Sequence, residues 1–264
     1  MARKQVSSSK AKTSKLRLFV FTGKEGEEMG RTSRNETIPK IVSTRKIRYE
    51  SISKITPLTD NQRRVFEEWG NNLVLHGMAG SGKTFLAIYL ALRDILSRET
   101  SYTKLVIVRS IVPVRDIGFL PGSEEEKIAV YEQPYTAIFR ELMPNIDDVM
   151  LKLKEQDLYQ FIPTSFIRGI TLKNSIIVVD EAQDCNFHEL DSVITRLGDN
   201  CKVVFCGDKS QTDLVKRDDI NGISKFMSIL RKMSEFRHIE FSEDDIVRSA
   251  VVKEYIINKH RMGF

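Results

Sequence analysis

The segment from Gly77 to Thr84 constrains the fold of this chain more than any other feature. It runs Gly-Met-Ala-Gly-Ser-Gly-Lys-Thr and matches G-x-x-x-x-G-K-[ST], the phosphate-binding P-loop. The apolar residues 73–76 before it predict a buried strand, and residues 85–92 after it have the composition of a helix. An ordinary glycine-rich turn rarely has both of these neighbours. Strand, glycine loop and helix together therefore predict a nucleoside triphosphate site.

Each residue type in the loop has a predicted role toward ATP and Mg²⁺. Glycines let the backbone approach phosphates closely, and successive N–H groups at a helix N-terminus form an anion-binding nest. Lys83 is able to reach the β- and γ-phosphates, and Thr84 places a hydroxyl where Mg²⁺ binds. The predicted nucleotide-binding residues of the loop are Gly77, Met78, Ala79, Gly80, Ser81, Gly82, Lys83 and Thr84.

An acidic pair after a second apolar run supplies the predicted hydrolytic groups. Residues 175–179 are mostly β-branched, as expected of a strand buried on both faces of a parallel sheet, and they lead into Asp180 and Glu181. Asp180 is placed to hold Mg²⁺, and Glu181 to accept the proton of an attacking water. An acidic pair alone also fits a simple turn, but its position downstream of a P-loop favours the site.

Two glutamines extend the predicted site. Gln211 follows a third apolar run at 202–206, and its amide could touch the γ-phosphate or position the water. Gln62 lies near a helix start for which Thr59 is the expected cap, and its amide suits the hydrogen-bonding edge of adenine. A surface glutamine on an amphipathic helix fits Gln62 equally well.

Alternating apolar strands and helices predict an α/β fold with a mainly parallel sheet and helices on both faces. The predicted strands are 73–76, 105–108, 176–179, 203–206 and 238–241. The predicted helices after the P-loop helix include 133–142, 147–158, 222–232 and 245–257.

The order of these motifs resembles the PhoH family of phosphate-starvation-inducible ATPases, which is related to the first core domain of superfamily-1 helicases. The resemblance runs from about Ile55 to Tyr255 and includes Asp-Glu-Ala-Gln at 180–183, Gly-Asp-x-x-Gln at 207–211 and Gly-Phe-Leu-Pro-Gly at 118–122. It implies a P-loop NTPase fold of the RecA/helicase type, with Gln62 as adenine contact and Gln211 as γ-phosphate sensor. Asp-Ile-Val-Arg at 245–248 is similar to the family's Asp-x-Val-Arg, which makes Arg248 the candidate arginine finger. A solvated charge near a helix start is the alternative for Arg248.

Charge divides the chain into two parts. Residues 1–50 carry 13 Lys and Arg against 5 Glu, a net of +8, whereas the whole 264-residue chain carries +5, which leaves −3 for residues 51–264. We predict a basic, largely flexible extension at 1–50, able to attract nucleic acid, and a single P-loop ATPase domain at 51–264.

Several classes of protein are disfavoured by composition. Apolar runs fall short of the roughly 20 residues that span a membrane. The three cysteines lack C-x-x-C spacing and the four histidines lack metal-ligand spacing. We therefore expect a reduced, cytoplasmic protein without a membrane partner.

The leading functional hypothesis is an ATPase that acts on single-stranded nucleic acid, with RNA favoured over DNA and helicase activity left open. A helicase motor has two core domains and this sequence shows one, so we expect a homo-oligomer, a ring such as a hexamer, that brings Arg248 of one protomer to the ATP of the next. The alternatives are an ATP-gated switch or scaffold acting on protein partners and, more remotely, a small-molecule kinase. The candidate nucleic-acid contacts are Arg109, Thr164, Phe166 and Arg168.

Overall fold

The computed structural model describes residues 46–97, 99–111, 124–208 and 217–263. Three sequence predictions lie outside this described part of the chain. They concern the basic extension up to residue 45, the segment 118–122 and Gln211.

Within the described ranges, six parallel strands form one sheet at the centre of the fold. The strands are β1 (Asn72–Gly77), β2 (Lys104–Arg109), β3 (Tyr159–Pro163), β4 (Ser175–Asp180), β5 (Cys201–Gly207) and β6 (Phe236–Phe241). Their order across the sheet is β3-β2-β4-β5-β1-β6, and every neighbouring pair is parallel. The predicted parallel α/β architecture is confirmed. All carboxyl ends of the strands meet at one edge, where ligands bind in open α/β sheets.

Helices cover both faces of the sheet, as predicted. They are α1 (Asp60–Glu67), α2 (Lys83–Leu96), α3 (Glu124–Leu142), α4 (Val149–Glu155), α5 (Phe187–Thr195), α6 (Arg217–Leu230) and α7 (Ala250–Arg261). Helices α1, α2, α3 and α4 pack against one face of the sheet in a first apolar core, and helices α5 and α6 pack against the other face in a second. Successive residues of β4 enter the two cores in turn, Ile176 and Val178 on one side and Ile177 and Val179 on the other. A strand apolar on both faces therefore sits centrally.

Two elements differ from the sequence predictions. The predicted helix 147–158 ends at Glu155, and the edge strand β3, which was not predicted, follows. The predicted helix 245–257 is instead a short 3₁₀ turn followed by α7. The reason is that the backbone N–H of Val247 donates to the carbonyl of Gly80 in the P-loop, 3.0 Å away. This bond holds residues 246–249, between the 3₁₀ turn and α7, out of the helix.

The residues around Ile47, which fall in the predicted extension, pack onto the folded part of the chain. Ile47 is buried in the core, and its N–H donates to the side-chain oxygen of Gln156 at 2.9 Å. A 3₁₀ turn, Tyr49–Ser51, follows it.

The helices also bear on the membrane prediction. Across the described ranges, none of them combines the length and the apolar character required to cross a bilayer.

Candidate nucleotide-binding site

The P-loop leaves β1 and enters α2 as the sequence predicted. Gly77, Gly80 and Gly82 have φ of +111°, +74° and +84°, values that disfavour residues with a Cβ. At Gly77 space is also limiting, because a Cβ would lie 2.2 Å from the carbonyl oxygen of Phe241 on β6. The N–H of Met78 donates to that same oxygen at 3.0 Å. The start of the loop is therefore fixed against the neighbouring strand.

The ammonium group of Lys83 lies inside the loop. It donates to the carbonyl oxygens of Gly77 and Met78, each at 2.8 Å. Burial lowers the pKa of Lys83 below its ordinary value, and the carboxylate of Asp208 is the largest of the opposing influences. Its ammonium also donates to the Ser81 hydroxyl at 3.3 Å. A cation held by loop oxygens in this way is placed to exchange these contacts for phosphate oxygens.

Asp180 joins the loop to β4 through both of its carboxylate oxygens. The Thr84 hydroxyl donates to Oδ1 at 2.6 Å, and the Tyr135 hydroxyl donates to Oδ2 at 2.8 Å. Burial and the Asp180 charge raise the pKa of Tyr135 well above its ordinary value, so it remains a donor. A hydroxyl and a carboxylate in contact are the oxygen ligands that Mg²⁺ prefers. Thr84 and Asp180 therefore fit the predicted metal role.

Glu181 occupies a strained backbone position beside Asp180. Its φ is +48°, which is uncommon outside glycine and recurs at functional sites. The amide of Gln183 donates to the Glu181 carboxylate at 2.7 Å and accepts from the N–H of Asp208 at 2.9 Å. Gly207 makes room for this bridge, because a Cβ there would lie 2.8 Å from the Gln183 oxygen. Gln183, for which no role was predicted from sequence, ties the candidate base to the end of β5.

Gln62 is buried against the P-loop rather than exposed on its helix. Its amide nitrogen donates to the carbonyl of Ser81 at 3.0 Å, and its amide oxygen accepts from the N–H of Leu58 at 2.8 Å. Thr59 caps α1, as predicted. A glutamine amide has two donors and two acceptor lone pairs, so these contacts are compatible with the predicted adenine contact, which stays a prediction.

Arg248 lies on the P-loop of its own chain. A Cβ at Gly80 would be only 2.9 Å from Cγ of Arg248. The expectation that Arg248 acts on the ATP of a neighbouring protomer does not match this placement. The physical reason is the backbone bond from Val247 to Gly80, which anchors the arginine in its own site.

The turn before Arg248 is held to α1. Asn61 donates to Asp245 at 2.8 Å, and the N–H of Ser242 donates to the same oxygen at 2.8 Å. Burial would raise the pKa of Asp245, but hydrogen bonds from Thr59, Asn61 and Ser242 lower it below its ordinary value. The Asp245 carboxylate thus fixes the segment that carries Arg248.

One open cleft of about 630 Å³ at the carboxyl edge of the sheet is lined by Gln62, Lys83, Thr84, Asp180, Glu181 and Arg248. Clefts of roughly 300–1,000 Å³ are typical of small-ligand sites. One wall is a face of α3, which was not assigned to the site from sequence. The residues that α3 contributes are Pro134, Ala137, Ile138 and Glu141.

The four candidate nucleic-acid contacts have different environments. Thr164 is buried and its hydroxyl donates to Glu189, so it is not available to a ligand, contrary to the expectation. Arg109 is partly buried; burial would lower its pKa, but the neighbouring Tyr135 and the Asp180 carboxylate raise it above its ordinary value. Phe166 is 45% exposed and Arg168 is exposed, so both remain candidates.

Comparison with known proteins identifies the family. A family model described as "PhoH-like protein" matches residues 54–259. A PhoH-like protein of Mycobacterium tuberculosis is 32% identical over 206 residues, covering 76% of this chain and 57% of the relative. One from Synechocystis is 33% identical over 183 residues, covering 68% and 54%. The chain thus spans about half the length of these relatives.

Among solved structures, a large terminase from a thermophilic bacteriophage matches with a TM-score of 0.47 and 13% identity, over 76% of this chain and 50% of that one. A likeness at that level does not bear on function. The family model, the two relatives and the P-loop geometry agree, and this chain belongs to the PhoH family.

Proposed function

We propose that this chain is an ATPase that uses Mg²⁺ and acts at the cleft described above. The observation that carries the proposal is the 2.6 Å contact between Thr84 and Asp180, which brings the P-loop to the acidic end of β4. Glu181 follows Asp180 directly and lines the same cleft as Lys83. A phosphate-binding loop, a metal-ligand pair and a carboxylate base are the groups that triphosphate hydrolysis requires.

The chain's own residues account for most of the reaction. Lys83 and the loop N–H groups bind the phosphates once Lys83 leaves the carbonyls of Gly77 and Met78. Thr84 and Asp180 would hold Mg²⁺, which would neutralise negative charge on the phosphates. Glu181 takes a proton from water, whose oxygen bonds to the γ-phosphorus while the bond to ADP breaks.

Three further groups complete the proposed reaction. Arg248, on the P-loop of the same chain, offsets charge on the departing phosphates. Gln183 holds the Glu181 carboxylate, and Gln211 remains the proposed γ-phosphate sensor.

We propose further that hydrolysis is coupled to single-stranded nucleic acid, RNA before DNA, in a homo-oligomer. Phe166 and Arg168 support this proposal because both are exposed just beyond the carboxyl end of β3, on the edge that carries the cleft. An aromatic ring for stacking and a guanidinium for phosphate are the groups that bind single strands without sequence preference.

A second candidate, an ATP-gated switch that acts on protein partners, is favoured by one observation. Val251, Tyr255 and Met262 on and just after α7 are 78%, 67% and 72% exposed, and their spacing of four and seven places them along one side of the helix. Arg248 precedes this helix, so a protein bound there would touch an element next to the nucleotide.

The test compares ATP hydrolysis by the wild type and by Glu181→Gln, with and without single-stranded RNA or DNA, with the mass of the protein measured in the same buffer. Stimulation by one polymer that Glu181→Gln abolishes would support the leading proposal and identify the substrate. Hydrolysis that ignores every polymer would favour the protein-directed switch. ATP binding without hydrolysis would refute the ATPase.

A further inference from the structure

Helix α3 brings Tyr135 to the candidate metal ligand from a part of the chain that holds no nucleotide motif. Tyr135 is 1% exposed, and its hydroxyl lies 2.8 Å from Oδ2 of Asp180. Thr84 occupies the other oxygen, Oδ1, at 2.6 Å. The two carboxylate oxygens therefore have different partners, one from the P-loop helix and one from α3.

This division fixes the direction in which Asp180 presents its oxygens. A carboxylate free to rotate about its Cβ–Cγ bond would lose entropy each time it bound a metal ion. With Oδ2 held by Tyr135, Oδ1 already faces Thr84, the other expected Mg²⁺ ligand. Hydrogen bonds to metal-binding carboxylates orient them, and their loss typically weakens metal affinity about 10- to 100-fold.

Tyr135 is itself held in place from two sides. The Arg109 guanidinium lies beside its hydroxyl, and its ring packs against Phe161 with the ring centroids 5.9 Å apart. Arg109 ends β2 and pairs in register with Asp180 on β4. A line of side chains, Arg109 to Tyr135 to Asp180, thus crosses from the end of β2 to the cleft.

We propose that Tyr135 is a positioning residue that orients Asp180 for Mg²⁺ and that Arg109 supports it in this task. The inference rests on the proposed function, since it concerns the metal that would accompany ATP. It also gives Arg109 a role inside the site, in place of the nucleic-acid contact suggested by sequence. Because α3 also lines the cleft with Pro134 and Ile138, the helix that meets the nucleotide is the one that orients the metal ligand.

The test is a binding experiment that does not depend on turnover. A fluorescent ADP analogue is titrated into the full chain at a series of Mg²⁺ concentrations, for the wild type and for Tyr135→Phe. We expect Tyr135→Phe to bind the analogue normally without Mg²⁺ but to need about tenfold more Mg²⁺, or more, for half of the metal-dependent gain in affinity.

Tyr159→Phe is the matched control. Tyr159 is 2% exposed and lies on β3 in the same core, so its substitution removes the same atom from the same core without touching Asp180. It should keep the wild-type Mg²⁺ requirement. Arg109→Gln, which leaves the Tyr135 hydroxyl in place, should raise the requirement by less than Tyr135→Phe does, and it provides the test if Tyr135→Phe fails to fold.

The outcomes separate the inference from the proposed function. A wild type whose nucleotide affinity ignores Mg²⁺ would refute the metal-dependent site, and the role of Tyr135 with it. A wild type that responds to Mg²⁺ together with a Tyr135→Phe variant of unchanged response would overturn only the positioning role. An equal rise in the Mg²⁺ requirement of Tyr159→Phe would also overturn the positioning role, because removing any buried hydroxyl from this core would then have the same effect.

Discussion

Replacing Gly77 with alanine should destabilise the protein by about 3 to 6 kcal/mol through two separable causes. The first is backbone strain, because φ at Gly77 is +111° and an L-residue with positive φ costs about 1–2 kcal/mol. The second is steric, because the new Cβ would lie 2.2 Å from the Phe241 oxygen and 2.9 Å from its nitrogen.

The steric cost follows from what must move. Ordinary contacts begin near 3.4 Å, so the loop or β6 has to shift by about an ångström, and overpacking of this kind costs about 1–3 kcal/mol. Such a shift also stretches the 3.0 Å bond from Met78 to Phe241, whose loss is worth about 1 kcal/mol. The strain, and the steric overlap together with the bond that it breaks, give the stated range.

Two other glycines isolate these causes. Gly169 has φ of +87°, and a Cβ added there would meet no atom within 4 Å, so Gly169→Ala carries the strain alone and should cost about 1–2 kcal/mol. Gly70 has open space and no positive φ, so Gly70→Ala should lie within about 0.5 kcal/mol of the wild type.

The assay is urea unfolding followed by circular dichroism, for all three variants under one condition. The expected order of destabilisation is Gly77→Ala, then Gly169→Ala, then Gly70→Ala. Equal losses for Gly77→Ala and Gly169→Ala would refute the steric argument, because strain alone would then account for both.

Three further predictions concern charge and the corrected site residues. Burial lowers the pKa of Lys202 to about 7 from its ordinary 10.5. Between these values the unfolded chain binds one proton more than the folded chain, so the free energy of unfolding should rise by about 2 kcal/mol from pH 7 to 9. Lys202→Met should remove this rise, measured by urea unfolding at the two pH values. Mixing Arg248→Ala with Glu181→Gln should restore no ATPase activity, because each site uses its own arginine, and recovered activity on mixing would show that Arg248 acts between subunits. Thr164→Val should cost about 1–3 kcal/mol of stability and leave oligonucleotide affinity unchanged, while Arg168→Ala should lower that affinity in a fluorescence anisotropy titration.

The central part of the fold could be predicted from sequence because its strands are apolar on both faces. Residues 176–179 contribute side chains to both cores. A short, continuous apolar run of this kind fits few structures other than a central strand buried on both faces. The edge strand β3 lacks that signal. Gln160 is exposed and Pro163 ends the strand, so its five residues mix apolar and polar side chains. The sequence therefore shows no clear boundary between α4 and β3.

The site divides in the same way. The P-loop and the acidic pair could be predicted because their function is encoded in contiguous residues whose spacing the chemistry requires. Tyr135 and Gln183 could not, since their contacts depend on how α3 and the turn after β4 pack. Tyr135 lies 45 residues from Asp180 in sequence, and only the packing of α3 on the sheet brings them together.

The position of Arg248 changes what oligomerisation would have to explain. From sequence, a neighbouring subunit was expected because one core domain leaves the nucleotide without an arginine from a second face. In the structure, the Val247 bond to Gly80 and the Asn61 bond to Asp245 already bring that arginine to the P-loop of its own chain. An oligomer is therefore not needed to supply the positive charge of Arg248 to the nucleotide site. The exposed side chains of α7, which begins two residues after Arg248, are where a second subunit could alter the arginine without supplying it.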